Sequence, residues 1–306
     1  MPDPRAALHR HRRSATMPAP TDGSFGMKWR DARRSDNVVG AGGRGGVKLG
    51  LGGIAVVVVL GLLLGKNPIE MLGLVSQIEQ GAPSGQTQAV PENETTDFVR
   101  AILGETEDVW GDIFQRAGQQ YPPPKLVLFS GAVQTACGGA SAASGPFYCP
   151  GDRMVYLDTS FFEEMKARLG GGGDFAYAYV IAHEVGHHVQ NVTGVFEKAQ
   201  EARQRGVPME GADGLSVRQE LQADCFAGVW ANHAQARHQW LEAGDVEAAL
   251  NTATAIGDDR LQKQAQGEVV PDSFTHGTSA QRVRWFKTGF ASGQVASCDT
   301  FATDRL

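Results

Sequence analysis

The sequence predicts an α+β fold, mostly helical with a small β-sheet and preceded by a single transmembrane helix. Three observations carry this. An apolar run (Phe175, Ala176, Tyr177, Ala178, Val180, Ile181, Ala182) leads directly into His183-Glu184-Val185-Gly186-His187, which makes that pentapeptide part of a buried helix. Lys125 to Phe129 and Met154 to Leu157 read as short strands. Leu49 to Gly65 is an unbroken uncharged run closed by Lys66, at the short limit for a spanning helix.

In chain order, residues 1–48 form a basic segment, with Arg30, Arg33, Arg34, Arg44 and Lys48, expected to be disordered. The positive-inside rule puts this segment in the cytoplasm and everything after the 49–65 helix outside. The expected location is therefore the inner (cytoplasmic) membrane, single-pass, with the folded domain periplasmic or extracellular. Residues 66–96 read as a flexible linker, since Ser76 to Asp97 is rich in Gly, Pro, Ser, Gln, Thr and Glu. One domain fills 97–306. Its first helix runs from Thr96 to Tyr121, with Phe98, Ile102, Leu103, Val109, Trp110 and Phe114 at helical spacing, and Pro122-Pro123-Pro124 stops it. Ser160 is expected to cap a helix through Leu169 that Gly170 to Gly173 breaks, and Asp174 to cap the helix carrying the two histidines. Leu215 to Trp230 reads as a further helix capped by Ser216, and a last helix begins near Ser279. Asn93-Glu94-Thr95 and Asn191-Val192-Thr193 are glycosylation-type triplets, meaningful only in a eukaryotic secretory pathway.

With 306 residues, 42% of them hydrophobic, the chain holds one sizeable domain plus accessory segments. A net charge of −6 offers no basic field for nucleic acid. Four cysteines, all beyond residue 65, suit an oxidising compartment. Three pairings are open to them. The favoured one joins Cys137 to Cys149 across a short Gly/Ala/Ser loop, leaving Cys225 with Cys298; the alternative is four buried thiols in a reducing cytosol.

The chemistry lies in the pentapeptide. Positions i and i+4 share a helix face, so His183 and His187 can present two imidazole nitrogens to one zinc ion per chain. Glu184 leans beside that face, placed to take a proton from a water activated by the metal. A catalytic zinc needs a third protein ligand. Glu220 and Asp224 form another i, i+4 pair on an otherwise apolar helix, where carboxylates are costly to bury unless they bind a cation or accept hydrogen bonds. Glu220 is the expected third ligand, and Asp224 the group holding the N–H of a ligating histidine. The bland alternative makes the pair a solvated edge. His276, beside the N-terminus of the last helix, either stabilises a developing oxyanion or is an ordinary loop histidine. Arg282 is a second candidate for that charge, although Arg282, Arg284 and Lys287 are most simply a wet helix face. His188 faces away from the metal, and His233 and His238 read as solvated.

The HEVGH helix followed by Glu220-Leu221-Gln222-Ala223-Asp224 resembles the HExxH…ExxxD arrangement of the gluzincins, including the CaaX prenyl endopeptidases. It is more closely similar to the bacterial neutral zinc metallopeptidase family, membrane-anchored proteins of largely unknown substrate. The likeness runs from about Met27 to the C-terminus. It covers Gly145-Pro146-Phe147-Tyr148-Cys149-Pro150, the HEVGHHVQ run, Glu220 to Gly228, Ala255 to Arg260 and Pro271 to Ser279. Met27-Lys28-Trp29-Arg30 resembles the family's usual start; Met1 to Gly26 resembles nothing in it. The resemblance implies a zincin-like metallopeptidase domain, in which one strand borders the cleft, and a His-containing segment after the ExxxD helix.

The function these observations imply is zinc-dependent hydrolysis of peptide bonds in proteins or peptides outside the cytoplasmic membrane. Two other classes stay open. One is a non-catalytic metal-containing module that binds envelope partners, against which the intact Glu184 argues. The other is a zinc hydrolase of a non-peptide amide such as a cell-wall cross-link, which cleft shape would separate.

Overall fold

A computed structural model describes residues 27–41, 89–141, 144–163, 165, 173–242, 244–255, 257, 259 and 269–306. The central sheet has four strands: β1 (Val38–Gly40), β2 (Lys125–Phe129), β5 (Phe147–Cys149) and β6 (Met154–Asp158), in the order β1-β2-β6-β5. Parallel pairing joins β1 to β2 and β2 to β6, while β5 runs antiparallel to β6 at the edge. Alternation divides β2 between two cores. Leu126 and Leu128 face the helices, and Val127 and Phe129 pack with Tyr156 and Cys149 on the other face. A separate hairpin, β3 (Ala132–Thr135) with β4 (Gly138–Ser141), is tied to β5 by the Cys137–Cys149 disulfide.

Helix α1 (Glu94–Arg116) starts two residues before the expected Thr96 and stops short of the expected Tyr121; Asn93 caps it by accepting a hydrogen bond from the Thr96 amide at 2.8 Å. Asn93, the first residue of a glycosylation-type triplet, is thus a helix cap. The helix ends at Arg116, before the three prolines. Helix α2 (Asp174–Val192) begins after Gly173, whose φ of 113° suits glycine; Asp174 is its first residue rather than its cap and instead accepts from the Trp29 indole at 2.8 Å. After α3 (Val195–Gln204) comes α4 (Leu215–His238), whose cap is Gly214 and not Ser216; the Ser216 amide donates to the Met209 carbonyl. Helices α5 (Asp245–Ala255) and α6 (Ser279–Ser292) follow, α6 opened by a Thr278/Gln281 capping box. The expected helix from Ser160 shows as helical residues 161–163 and 165; its remainder lies outside the described residues.

Two expectations need correcting. Residues 27–41 are not a disordered basic segment separate from the domain. Met27 (1% exposed) and Trp29 (3%) lie in its core and β1 extends its sheet. Arg30, Arg33 and Arg34 pair with Glu94, Glu107, Asp108 and Asp97 on or beside α1. The second correction concerns the fold class. Among the described residues no helix is long and apolar enough to cross a membrane. The run 49–65 lies outside the described residues, as do residues 1–26 and most of the 66–96 linker.

Candidate metal centre

Helix α2 is apolar through its first two turns. Phe175, Ala176, Ala178, Tyr179, Ile181 and Ala182 are buried, and this fixes the rotation that turns His183 and His187 toward α4. Gly186 between them sets the separation of the two helices. A Cβ there would stand 3.0 Å from the Ala223 carbonyl oxygen and 3.1 Å from its Cα, so the glycine lets α4 lie close against the histidine face. That contact brings Glu220 and Asp224, on either side of Ala223, to the two rings.

Glu220 reaches both histidines with its two oxygens: Oε2 is 3.2 Å from His183 Nε2 and Oε1 is 3.4 Å from His187 Nε2. One donor atom from each of His183, His187 and Glu220 lies within 4.8 Å of the others. Tetrahedral zinc with ligands at about 2.0–2.1 Å places them roughly 3.3–3.4 Å apart, so the donor set fits zinc in chemistry, and each histidine is near that spacing from one Glu220 oxygen. Burial works against a charged His183, yet Asp224 and Glu220 push the ring up to about 10. Burial also opposes a negative Glu220, but His187 and His183 hold it well below the ordinary carboxylate range. Two raised rings around one depressed carboxylate are a cluster ready to exchange protons for a cation.

Asp224 is fully buried and receives four donors. Tyr179 Oη donates at 2.5 Å, the Arg282 Nε and Nη2 groups at 2.9 Å each, and His183 Nδ1 lies 2.9 Å away. Donation from Nδ1 makes Nε2, on the side of Glu220, the nitrogen that a metal would take when the ring is neutral. Burial resists the Asp224 charge, but Arg282 and His183 lower the carboxyl to about 2. Arg282 is therefore not on a wet face: at 3% exposure it lies under the metal site, whereas Arg284 and Lys287 are exposed. It reaches Asp224 because α6 packs directly on α4. A Cβ on Gly289 would be 1.9 Å from the Cys225 carbonyl oxygen, and one on Gly228 would be 2.2 Å from that of Phe286.

Glu184 is 7% exposed on the same helix and stands outside the three-donor group. Burial raises its carboxyl above the ordinary value, against the pull of His183 and His187. His276 occupies an exposed turn with Nδ1 2.9 Å from Thr275 Oγ1. Its neighbour Gly277 packs on Val217 and Leu221, setting the turn beside the half of α4 that carries Glu220. His188 turns away, with Nε2 2.6 Å from the Pro122 carbonyl and Nδ1 3.1 Å from Tyr148 Oη. His238 is not simply solvated; its Nε2 is 2.8 Å from buried Glu105, and its ring stacks on Trp240. His233 Nε2 is 2.9 Å from the Gly293 carbonyl. Both disulfides join the pairs that the sequence favoured, Cys137–Cys149 and Cys225–Cys298. Sequence reasoning missed Tyr179 and Gln190, although each had a signal: Tyr179 is one turn before His183 and Gln190 nearly one turn after His187. The pairing of Arg282 with Asp224 left no local signal.

Two facing helices with a His, His, Glu donor set and an unligated glutamate define a metallopeptidase-type site of the HExxH…ExxxD class. Over residues 26–301 the chain matches the family described as "Putative neutral zinc metallopeptidase", and it belongs to that family. It is 48% identical over 290 residues to "Uncharacterized protein YpfJ" of Escherichia coli K12, covering 90% of this chain and 99% of the relative. "Uncharacterized protein Rv2575" of Mycobacterium tuberculosis H37Rv is 47% identical over 196 residues, 61% of this chain and 65% of that protein. No solved structure matches the chain.

Proposed function

We propose that the protein is a zinc-dependent peptidase acting on peptide bonds of proteins or peptides outside the cytoplasm. The observation that carries this is Glu184, a buried carboxylate beside the His183, His187 and Glu220 donors and not one of them. A purely structural site needs no such base. Zinc, when bound, acidifies water and polarises a carbonyl. Glu184, raised by burial, takes the proton of the attacking water and returns it to the leaving amine. Of the two side chains weighed for the oxyanion, Arg282 is engaged by Asp224, and we assign that role to His276. Edge strand β5 borders α2, where Asn191 donates to Tyr148 Oη at 2.8 Å, and an extended peptide can add to such an edge. The two disulfides support an oxidising compartment.

The test compares the protein with its Glu184→Gln variant for zinc content and for cleavage of a casein-type substrate. One zinc in each, with the rate lowered about 10²–10⁴-fold in the variant, is the expected result. Zinc in neither overturns the reading. Zinc in both without cleavage by either would favour a binding module.

A further inference from the structure

Gln190, the last residue of HEVGHHVQ, has no part in the chemistry above, yet it is fully buried and engaged at both ends of its amide. Oε1 lies 2.9 Å from His187 Nδ1. Nε2 donates to the Gln219 carbonyl at 2.7 Å and to Gln222 Oε1 at 3.1 Å. Gln222 in turn donates from Nε2 to the Cys298 carbonyl at 3.0 Å, and Cys298 is bonded to Cys225, the neighbour of Asp224.

We propose that Gln190 and Gln222 are positioning residues that make the C-terminal tail, through Cys298, part of the metal centre. Hydrogen-bond polarity makes the connection. A side-chain amide can turn either its accepting oxygen or its donating nitrogen to a histidine, so by itself a glutamine does not decide which ring nitrogen carries the proton. A backbone carbonyl only accepts. The Gln219 carbonyl therefore requires Gln190 Nε2 to face it, which turns Oε1 to His187. Oε1 can only accept, so His187 Nδ1 keeps its proton and Nε2, the nitrogen that faces Glu220, is the one left for a metal when the ring is neutral. The Cys298 carbonyl fixes Gln222 in the same manner, and Gln222 Oε1 then supplies a second acceptor for Gln190 Nε2. A reversed Gln190 amide would put the proton on the wrong nitrogen of His187. The tail is held to α4 by more than this link: Arg218 donates to the Thr300 and Thr303 carbonyls, and Thr300 Oγ1 donates to the Arg218 carbonyl. His183 is thus oriented by a carboxylate and His187 by a neutral amide whose polarity is set by distant backbone.

The inference rests on the metal site proposed above and not on the reaction. Its test measures zinc affinity by chelator competition, together with the visible absorption of the cobalt-substituted protein. Variants whose melting curves show them folded are compared with the wild type. Gln190→Leu is expected to weaken zinc about 10–100-fold and alter the cobalt bands. Gln190→Glu, which keeps an acceptor for His187 Nδ1 but loses the donor to the Gln219 carbonyl, is expected to restore only part of that affinity. Gln222→Leu is expected to give a smaller loss in the same direction. Unchanged affinity and cobalt bands in folded Gln190→Leu would overturn the proposal, and if that variant does not fold, unchanged values in Gln222→Leu would do so. A loss in Gln190→Leu with none in Gln222→Leu overturns the part assigned to the tail. Absence of zinc from the wild type would instead defeat the metal-site reading itself.

Discussion

Removing the Arg282 guanidinium is the perturbation whose cost the structure constrains best. Arg282→Met keeps much of the side-chain volume at a site only 3% exposed, but takes two 2.9 Å donors from a fully buried carboxylate. Tyr179 and His183 remain on Asp224; Tyr179 is neutral, and His183, pushed up to about 10, shares its charge with Glu220. Breaking one side of a buried ion pair costs about 3–5 kcal/mol, because the other charge stays buried without compensation. For a domain of this size each kcal/mol moves the melting temperature by about 2–4 °C, so a fall of about 6–20 °C is expected. The assay is thermal unfolding by circular dichroism in a metal chelator, so that ligand binding adds nothing to the folded state. Arg282→Lys should fall between the two, having charge but not the fork. Asp224→Asn combined with Arg282→Met should recover part of the loss. A single Arg282→Met variant melting within about 2 °C of the wild type would refute the buried pair as described.

Three further outcomes are expected. His183, pushed up to about 10 by Asp224 and Glu220 against burial, is protonated near neutrality and must lose a proton to bind a cation, and His187 is raised in the same direction by Glu220. Zinc affinity should accordingly rise with pH up to about 10, and calorimetry at neutral pH should show a heat that varies with buffer ionisation enthalpy; no variation would contradict the proton count. Gly289→Ala places a methyl 1.9 Å from the Cys225 carbonyl oxygen and should cost about 1–3 kcal/mol by forcing α6 off α4, as measured by denaturant unfolding. Trp29→Ala removes a core ring packed edge-on to Phe98 at 5.2 Å and the 2.8 Å bond to Asp174. A loss of about 3–5 kcal/mol is expected, and a loss under about 1 kcal/mol would mean that residues 27–41 do not belong to the core.

What could be read in the sequence was what depends on near neighbours. Strand β2 was legible because five residues with no glycine follow a triple proline, and the metal helix because its apolar lead-in is long. The i, i+4 spacings of His183/His187 and Glu220/Asp224 gave the two faces that the structure brings together. Illegible were features that require a partner far along the chain. Arg282 shares a helix with exposed Arg284 and Lys287, and nothing local marks it as the residue that meets Asp224. Residues 27–41 read as a charged run because Arg30, Arg33 and Arg34 dominate them, while their docking depends on Trp29 and on acids of α1. Helix starts were misplaced for a smaller reason. Asp174 and Ser216 have the chemistry of caps, but glycines immediately before the helices, Gly173 and Gly214, supply the backbone geometry instead.

The pairing of β1 with β2 has a kinetic consequence. Val38 and Leu126 are joined in parallel register although they stand 88 positions apart (126 − 38) in the chain, so their meeting is expected to be a late event in folding. Much of the ion pairing that secures the segment involves partly or largely exposed side chains, which salt screens, whereas Trp29 is sheltered from solvent. Amide exchange should therefore find residues 30–41 opening as a unit of their own, faster at high ionic strength, while the backbone around Trp29 opens later. Because Trp29 grips Asp174, the first residue of α2, this early-opening flap ends at the helix from which His183 and His187 project.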